Sequence, residues 1–314
     1  MKKAVSLFLA LALSCSMFAG CNSAVTGSST SSDASSAASE QESSAAESTA
    51  DESEAASSSE EYTDLSGSLR LTGSTSMQEV CEKLGEAFMA KYPDVTFEKG
   101  GAGSGEAPTA VTEGTANIGD LSRELKDDEN PDQFTAVTIA LDGIAVIVNK
   151  DSQVENLTQD QIKQIFTGEI TNWSEVGGAD GTIKVIGREA ASGTRDGFES
   201  ILGIEDETVY SVEQNATGAV ISAVASDPTA IGYVSLANVE NTQENIKAVS
   251  VDDVAPSVDT VADGSYVLQR PFVQIFKKGS TDELVMAWFD FLASDEGQQI
   301  IEEEGLVPQE INIQ

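Results

Sequence analysis

Ile183-Lys184-Val185-Ile186-Gly187-Arg188-Glu189-Ala190-Ala191-Ser192-Gly193-Thr194 runs from a β-rich segment into a turn that bears hydroxyls. The apolar and β-branched residues of 183–187 predict a strand. Ser192 ahead of Gly193 and Thr194 predicts a helix start, continued through 197–202. A strand that passes through a short turn into a helix is the building unit of an α/β fold. The turn exposes unpaired N–H groups at the positive end of a helix dipole. Two hydroxyls and the Arg188 fork join them on one side. That set suits a tetrahedral oxyanion better than a carboxylate.

The pattern recurs upstream. Gly73-Ser74-Thr75-Ser76 and Gly103-Ser104-Gly105 also stand before helical repeats. One such turn is ordinarily only a helix cap. Several aimed at one point would make a socket for a small anion. Around these turns, residues 65–314 alternate short β-rich runs with amphipathic helices. Strands are expected at 68–72, 95–99, 117–121, 135–139, 144–149, 183–187, 231–234 and 272–276. Helices are expected at 77–91, 104–113, 158–166, 193–202, 219–225, 282–293 and 295–303. Met77, Val80, Leu84 and Phe88 share one face of the first helix, and Thr158 occupies an N-cap position. The run 144–149 is continuously apolar, as in a strand covered on both faces. Residues 252–263 read as a connecting segment.

Composition bounds the chemistry. Residues 1–20 read as a signal: Lys2 and Lys3 precede an apolar stretch, 4–19, that is too short to span a bilayer. It ends Phe18-Ala19-Gly20-Cys21, which resembles a lipoprotein box, so Cys21 is the expected lipid anchor. Residues 21–64 are rich in Ser, Ala and Glu and contain no Lys or Arg, and they read as a disordered tether. The net charge of −36 argues against nucleic acid and anionic lipid as partners of the folded part. The absence of histidine removes Ser-His-Asp catalysis and imidazole metal sites. Beyond residue 21 the one cysteine is Cys81, so no internal disulfide or CxxC motif is possible. Near Val80 and Leu84 it reads as a buried apolar side chain. With no Walker motif, nucleophile elbow or metal-spaced acid cluster, no catalytic residue, metal or cofactor is assigned.

Further segments follow in order: Gly73-Ser74-Thr75-Ser76-Met77, Gly100-Gly101-Ala102-Gly103-Ser104-Gly105 and Ile118-Gly119-Asp120-Leu121-Ser122-Arg123-Glu124-Leu125. Ile165-Phe166-Thr167-Gly168 with Ile170-Thr171-Asn172-Trp173, then Arg188 to Arg195, then Ala230-Ile231-Gly232-Tyr233 complete the set. Taken together, across 65–314, the chain resembles the substrate-binding lipoproteins of phosphate ABC importers. The resemblance implies an α/β fold of periplasmic-binding-protein type II, with two lobes, two crossover strands and a ligand cleft between them. Lobe I would comprise 65–142 plus 270–314 and lobe II 143–269, with crossovers near Asp142-Gly143 and Gln269-Arg270-Pro271.

The resemblance also implies a ligand set: Thr75, Ser76, Ser104, Arg188, Ser192, Gly193 and Thr194. Ser122 stands where some members carry an aspartate that accepts a proton from the bound anion. A serine accepts more weakly, and Asp120 and Asp142 are neighbouring candidates for that role. Arg123 is either a second positive group at the site or the partner of Glu124 or Asp120. Glu106 is expected to point outward, where an acid in a first turn suits the dipole. The function implied is extracytoplasmic, high-affinity capture of inorganic phosphate. Delivery would be to the permease and ATPase subunits of an importer, by a non-enzymatic monomer held on the outer face of the cell membrane through Cys21. Binding of sulfate, molybdate or tungstate, or a phosphate-ester enzyme, are the alternatives.

Overall fold

The computed structural model describes residues 62–239 and 244–313, which fall in one structural unit. The signal expected at 1–20, Cys21 and the tether up to residue 61 lie outside the described residues. The first half opens with β1 (Gly67–Gly73), α1 (Gln78–Lys91), β2 (Val95–Lys99), α2 (Ala107–Glu113) and β3 (Ile118–Leu121). β1 pairs in parallel with both β2 and β3, the pairing that intervening helices require. The next strand, β4 (Phe134–Asn149), is 16 residues long. Two strands were expected there, at 135–139 and 144–149. Asp142 and Gly143 interrupt the apolar pattern but not the ladder, because Arg270 and Gln269 pair opposite them.

The second half contains β5 (Asn156–Leu157), α3 (Gln159–Phe166), β6 (Lys184–Arg188), α4 (Gly193–Leu202), β7 (Val212–Gln214), α5 (Thr217–Ser226) and β8 (Ala230–Ser235). It continues through β9 (Ile246–Ala248), β10 (Ser250–Val251) and α6 (Val258–Ala262). β11 (Gln269–Lys277) then leads back to α7 (Glu283–Ala293), α8 (Asp295–Glu303) and β12 (Val307–Pro308). The segment expected as a bare connection, 252–263, holds α6. It is capped by Ser257 and Thr260 and, at five residues, is too short to show a helical period.

Strands follow the order β2-β1-β3-β11-β4-β8-β6-β7. β4 lies at its centre: 134–143 pair with β11, and 144–148 pair with β8. Where the chain passes between halves it does so twice, side by side, at 141–143 and 269–271. Each half has its own apolar core. In the first, Leu69, Leu71, Leu84 and Phe88 pack with Trp288 and Phe291 from α7, and Phe88 meets Trp288 edge-on at 5.4 Å. In the second, Val146, Val148, Phe166 and Phe198 surround Tyr233, which stacks on Phe198 at 4.1 Å. Cys81 is free and buried in the first core. Among the described residues no helix is long and apolar enough to cross a membrane.

Candidate functional site

The parallel strands β1, β3 and β6 deliver their C-terminal ends to one place, where loops over open α/β sheets ordinarily bind ligands. Gly73 ends β1 with φ of 134°, and a Cβ there would lie 2.1 Å from the Asp120 carbonyl oxygen. Only glycine allows that approach. It lets Ser74 leave the strand and donate its N–H to Asp120 at 2.8 Å. Ser74 then caps a 3₁₀ turn, Thr75–Met77, that leads into α1.

The loops bring a set of hydroxyls together. Ser74 Oγ donates to Ser122 Oγ at 3.0 Å, and Ser104 Oγ lies 3.3 Å from Ser122 Oγ while accepting the Ser122 N–H at 3.1 Å. Ser76 Oγ lies 2.8 Å from Thr194 Oγ1 and 3.3 Å from Thr217 Oγ1. Thr75 Oγ1 is 3.2 Å from Thr217 Oγ1. Gly193 sits so close that a Cβ on it would be 2.3 Å from Ser104 Oγ and 2.8 Å from Ser122 Oγ. Ser192 is buried in the same turn, and its Oγ caps α4 by accepting from the Arg195 N–H. Arg188 reaches in from the end of β6, donating to Thr75 Oγ1 at 3.1 Å and to Thr217 Oγ1 at 3.3 Å. Glu189 holds the other side of that guanidinium, at 2.9 and 3.0 Å.

Of the expected residues, Thr75, Ser76, Ser104, Ser122, Arg188, Ser192, Gly193 and Thr194 thus gather from separate stretches of chain. Arg123 does not join them. Its Nε donates to Asp196 at 2.7 Å, and its two terminal nitrogens donate to Glu129 at 2.8 and 2.6 Å. The partners expected for it are corrected. Glu124 contributes only its carbonyl oxygen, and Asp120 pairs with Lys99 at 3.1 Å. Asp142 is held by Arg270 at 2.9 Å and by Ser235 at 2.8 Å. Neither carboxylate contacts the gathered hydroxyls. Burial pushes both carboxyls above their ordinary value, against the opposing pull of Lys99 on Asp120 and of Arg270 on Asp142. Glu106 is exposed, as expected.

Three members of the cluster were not among the expected ligands. Thr217 opens α5, two residues before the helix start expected there. Thr217-Gly218 is the same hydroxyl–glycine signal that marked the other starts. Arg270 donates to Thr194 Oγ1 at 2.9 Å and to the Ser122 carbonyl at 3.0 Å. No local pattern distinguishes it, since it lies in the return crossover. Ser74, quoted but not chosen, is the third.

The neighbours of these hydroxyls are other hydroxyls and guanidinium groups. Such a set offers many short-range donors to an anion, together with hydroxyl oxygens that also accept. Each arginine already faces a carboxylate, so the site carries little excess charge. Among the described residues no cluster suited to a metal ion occurs.

Known proteins with this architecture point the same way. A family model described as PBP superfamily domain matches residues 26–296. The phosphate-binding protein PstS of Bacillus subtilis is 32% identical over 246 residues, covering 77% of this chain and 81% of the relative. That of Staphylococcus epidermidis RP62A is 32% identical over 252 residues, covering 75% and 77%. A Clostridium perfringens protein solved with bound phosphate is 40% identical, with a TM-score of 0.74, over 78% of this chain and all of its own. An ABC-type phosphate transport receptor from Vibrio cholerae is 31% identical, with a TM-score of 0.64, over 77% of this chain and all of its own. On this similarity in sequence and fold, the chain belongs to the PBP superfamily and, within it, to the family of phosphate ABC transporter substrate-binding proteins.

Proposed function

We propose that the hydroxyl and guanidinium cluster is the seat of inorganic phosphate, and that the protein captures phosphate outside the cytoplasm for an ABC importer. The observation that carries this reading is the convergence of Thr75, Ser76, Ser104, Ser122, Arg188 and Thr194 on one buried point. Removing phosphate from water is costly, so its hydration must be replaced by many donors at once. Donors from the starts of α1, α2, α4 and α5, with Arg188, meet that need by short-range bonds. They do so on a protein whose overall charge would repel an anion.

The same donors suggest the cycle. Residues 65–142 with 270–314 form one lobe and residues 143–269 the other. They part at the paired crossovers to admit phosphate and close when both sets of donors bind it. The closed form is the one a permease with its ATPase would distinguish. The protein acts as a monomer and as a carrier, not an enzyme, anchored through Cys21 to the outer face of the membrane. Replacing Cys21 by serine is expected to release it into the soluble fraction.

Calorimetric titration with phosphate, sulfate and arsenate tests the central reading. Saturable binding of phosphate, with sulfate much weaker, is the expected result. Tighter binding of sulfate, or of none of these anions, would overturn it.

A further inference from the structure

We infer that Lys99, through its ion pair with Asp120, is a positioning residue that sets the donor geometry of all three anion-binding loops in the first half. This rests on the phosphate-binding reading and adds to it a residue that need not touch the ligand.

Lys99 is the last residue of β2, and its side chain is 1% exposed. An ammonium group has three protons to place. Here it donates to the Ser74 carbonyl at 3.3 Å and the Gly100 carbonyl at 2.7 Å, and its charge stands 3.1 Å from Asp120 Oδ2 as an ion pair. Each partner lies in or leads into a different loop. Ser74 immediately precedes Thr75 and Ser76. Gly100 opens the loop that ends in Ser104. Asp120 lies two residues before Ser122.

The loops are also laced directly: Ser74 N–H to Asp120 O at 2.8 Å and Gly103 N–H to Gly73 O at 2.9 Å. The Ser122 hydroxyl links the same loops at their tips, and Lys99 adds a charged contact to each from beneath. Asp120 is fixed in turn, because Gln274 of β11 donates to its Oδ1 at 2.9 Å and Trp288 of α7 donates to the Gln274 side-chain oxygen at 2.8 Å. The arrangement therefore runs from the core of the first half to the loops.

Two physical arguments turn this hub into a binding device. In a planar trans peptide the C=O and the following N–H point in opposite directions. By holding the Ser74 carbonyl, Lys99 turns the Thr75 N–H away from itself. By holding the Gly100 carbonyl, it does the same for the Gly101 N–H. Moreover, a buried ion pair is a poor source of stability, since desolvating both charges offsets their attraction. Loop geometry supplies the reason for this one.

The test is calorimetric titration of inorganic phosphate into wild type, Lys99→Met and Lys99→Arg, with thermal melts of each. Methionine keeps the stem and deletes the ammonium. Affinity for Lys99→Met is expected to fall roughly tenfold or more while the protein still melts cooperatively. Arginine, which keeps the charge and several donors, is expected to recover most of the loss. Wild-type affinity in Lys99→Met would overturn the inference, and so would a Lys99→Arg variant as weak as Lys99→Met. Should Lys99→Met fail to fold, Asp120→Asn carries the test: weakened binding supports the inference and unchanged binding overturns it. A wild type that binds no phosphate would remove the proposed function itself. A wild type that binds while the variants bind equally well would remove only the role of Lys99.

Discussion

Arg188 reaches two threonines that start different helices, Thr75 before α1 and Thr217 at the head of α5. Its charge is shared with Glu189, so what it adds at the site is chiefly directed N–H groups. Arg188→Ala is expected to weaken phosphate binding by about 1.5–3 kcal/mol, the usual worth of a hydrogen bond to a charged group, with little change in fold. Calorimetry showing undiminished affinity would remove Arg188 from the site. Thr217→Val keeps the shape and deletes one hydroxyl. It is expected to cost about 1 kcal/mol of binding, read in the same titration. An unchanged affinity would make Thr217 only part of the wall.

At the scale of single elements, the ends of β1 and α5 carry testable claims. Gly73→Ala would place a methyl 2.1 Å from the Asp120 carbonyl at a φ of 134°, so the end of β1 must move. A loss of about 1–3 kcal/mol of stability is expected by thermal unfolding, with weaker phosphate binding because Ser74 and Thr75 follow directly. Asp227 closes α5 and turns the chain into β8. Hydrogen bonds from the Thr229 hydroxyl and N–H, helped by Lys184, hold its carboxyl below the ordinary 3.8. A carboxyl lowered on folding stabilises the protein above its unfolded value, and that contribution is lost as pH falls through the folded value. Asp227→Asn should therefore lower the melting temperature near neutral pH, and the difference from wild type should shrink in acid below 3.8. A difference that stays constant with pH would mean that ionisation of Asp227 contributes nothing.

Across the whole molecule, Arg123 links the two halves. It extends from the end of β3 to Asp196 in α4 at 2.7 Å, and Lys126 joins the same carboxylate at 2.8 Å. These contacts tie the first half to the second beside the crossovers. Asp196→Asn is expected to weaken phosphate affinity by about 0.5–1 kcal/mol, since the carboxylate is partly exposed. X-ray scattering should then show a larger radius at subsaturating phosphate. Equal radii and equal affinity would show that this contact does not favour the closed form. The partners of Arg123 were not legible, because Asp196 lies 73 residues away and Glu129 meets it through a turn of its own. The strands and helices were largely legible, because periodicity and caps such as Thr158 with Gln161 act within a few residues. So were the hydroxyl–glycine helix starts at Thr75, Ser104 and Ser192, since each is a local device. The unbroken course of β4 past Asp142 and Gly143 was not, because Arg270 and Gln269 hold it open from across the sheet. Nor was the cluster's reliance on Thr217 and Arg270, or the grip of Lys99 on three loops. The sequence alone determined where donors sit along the chain, through short-range preferences of backbone and cap. Only the tertiary structure decided which of them meet, because burial and the pairing of distant charges depend on residues that no local pattern connects.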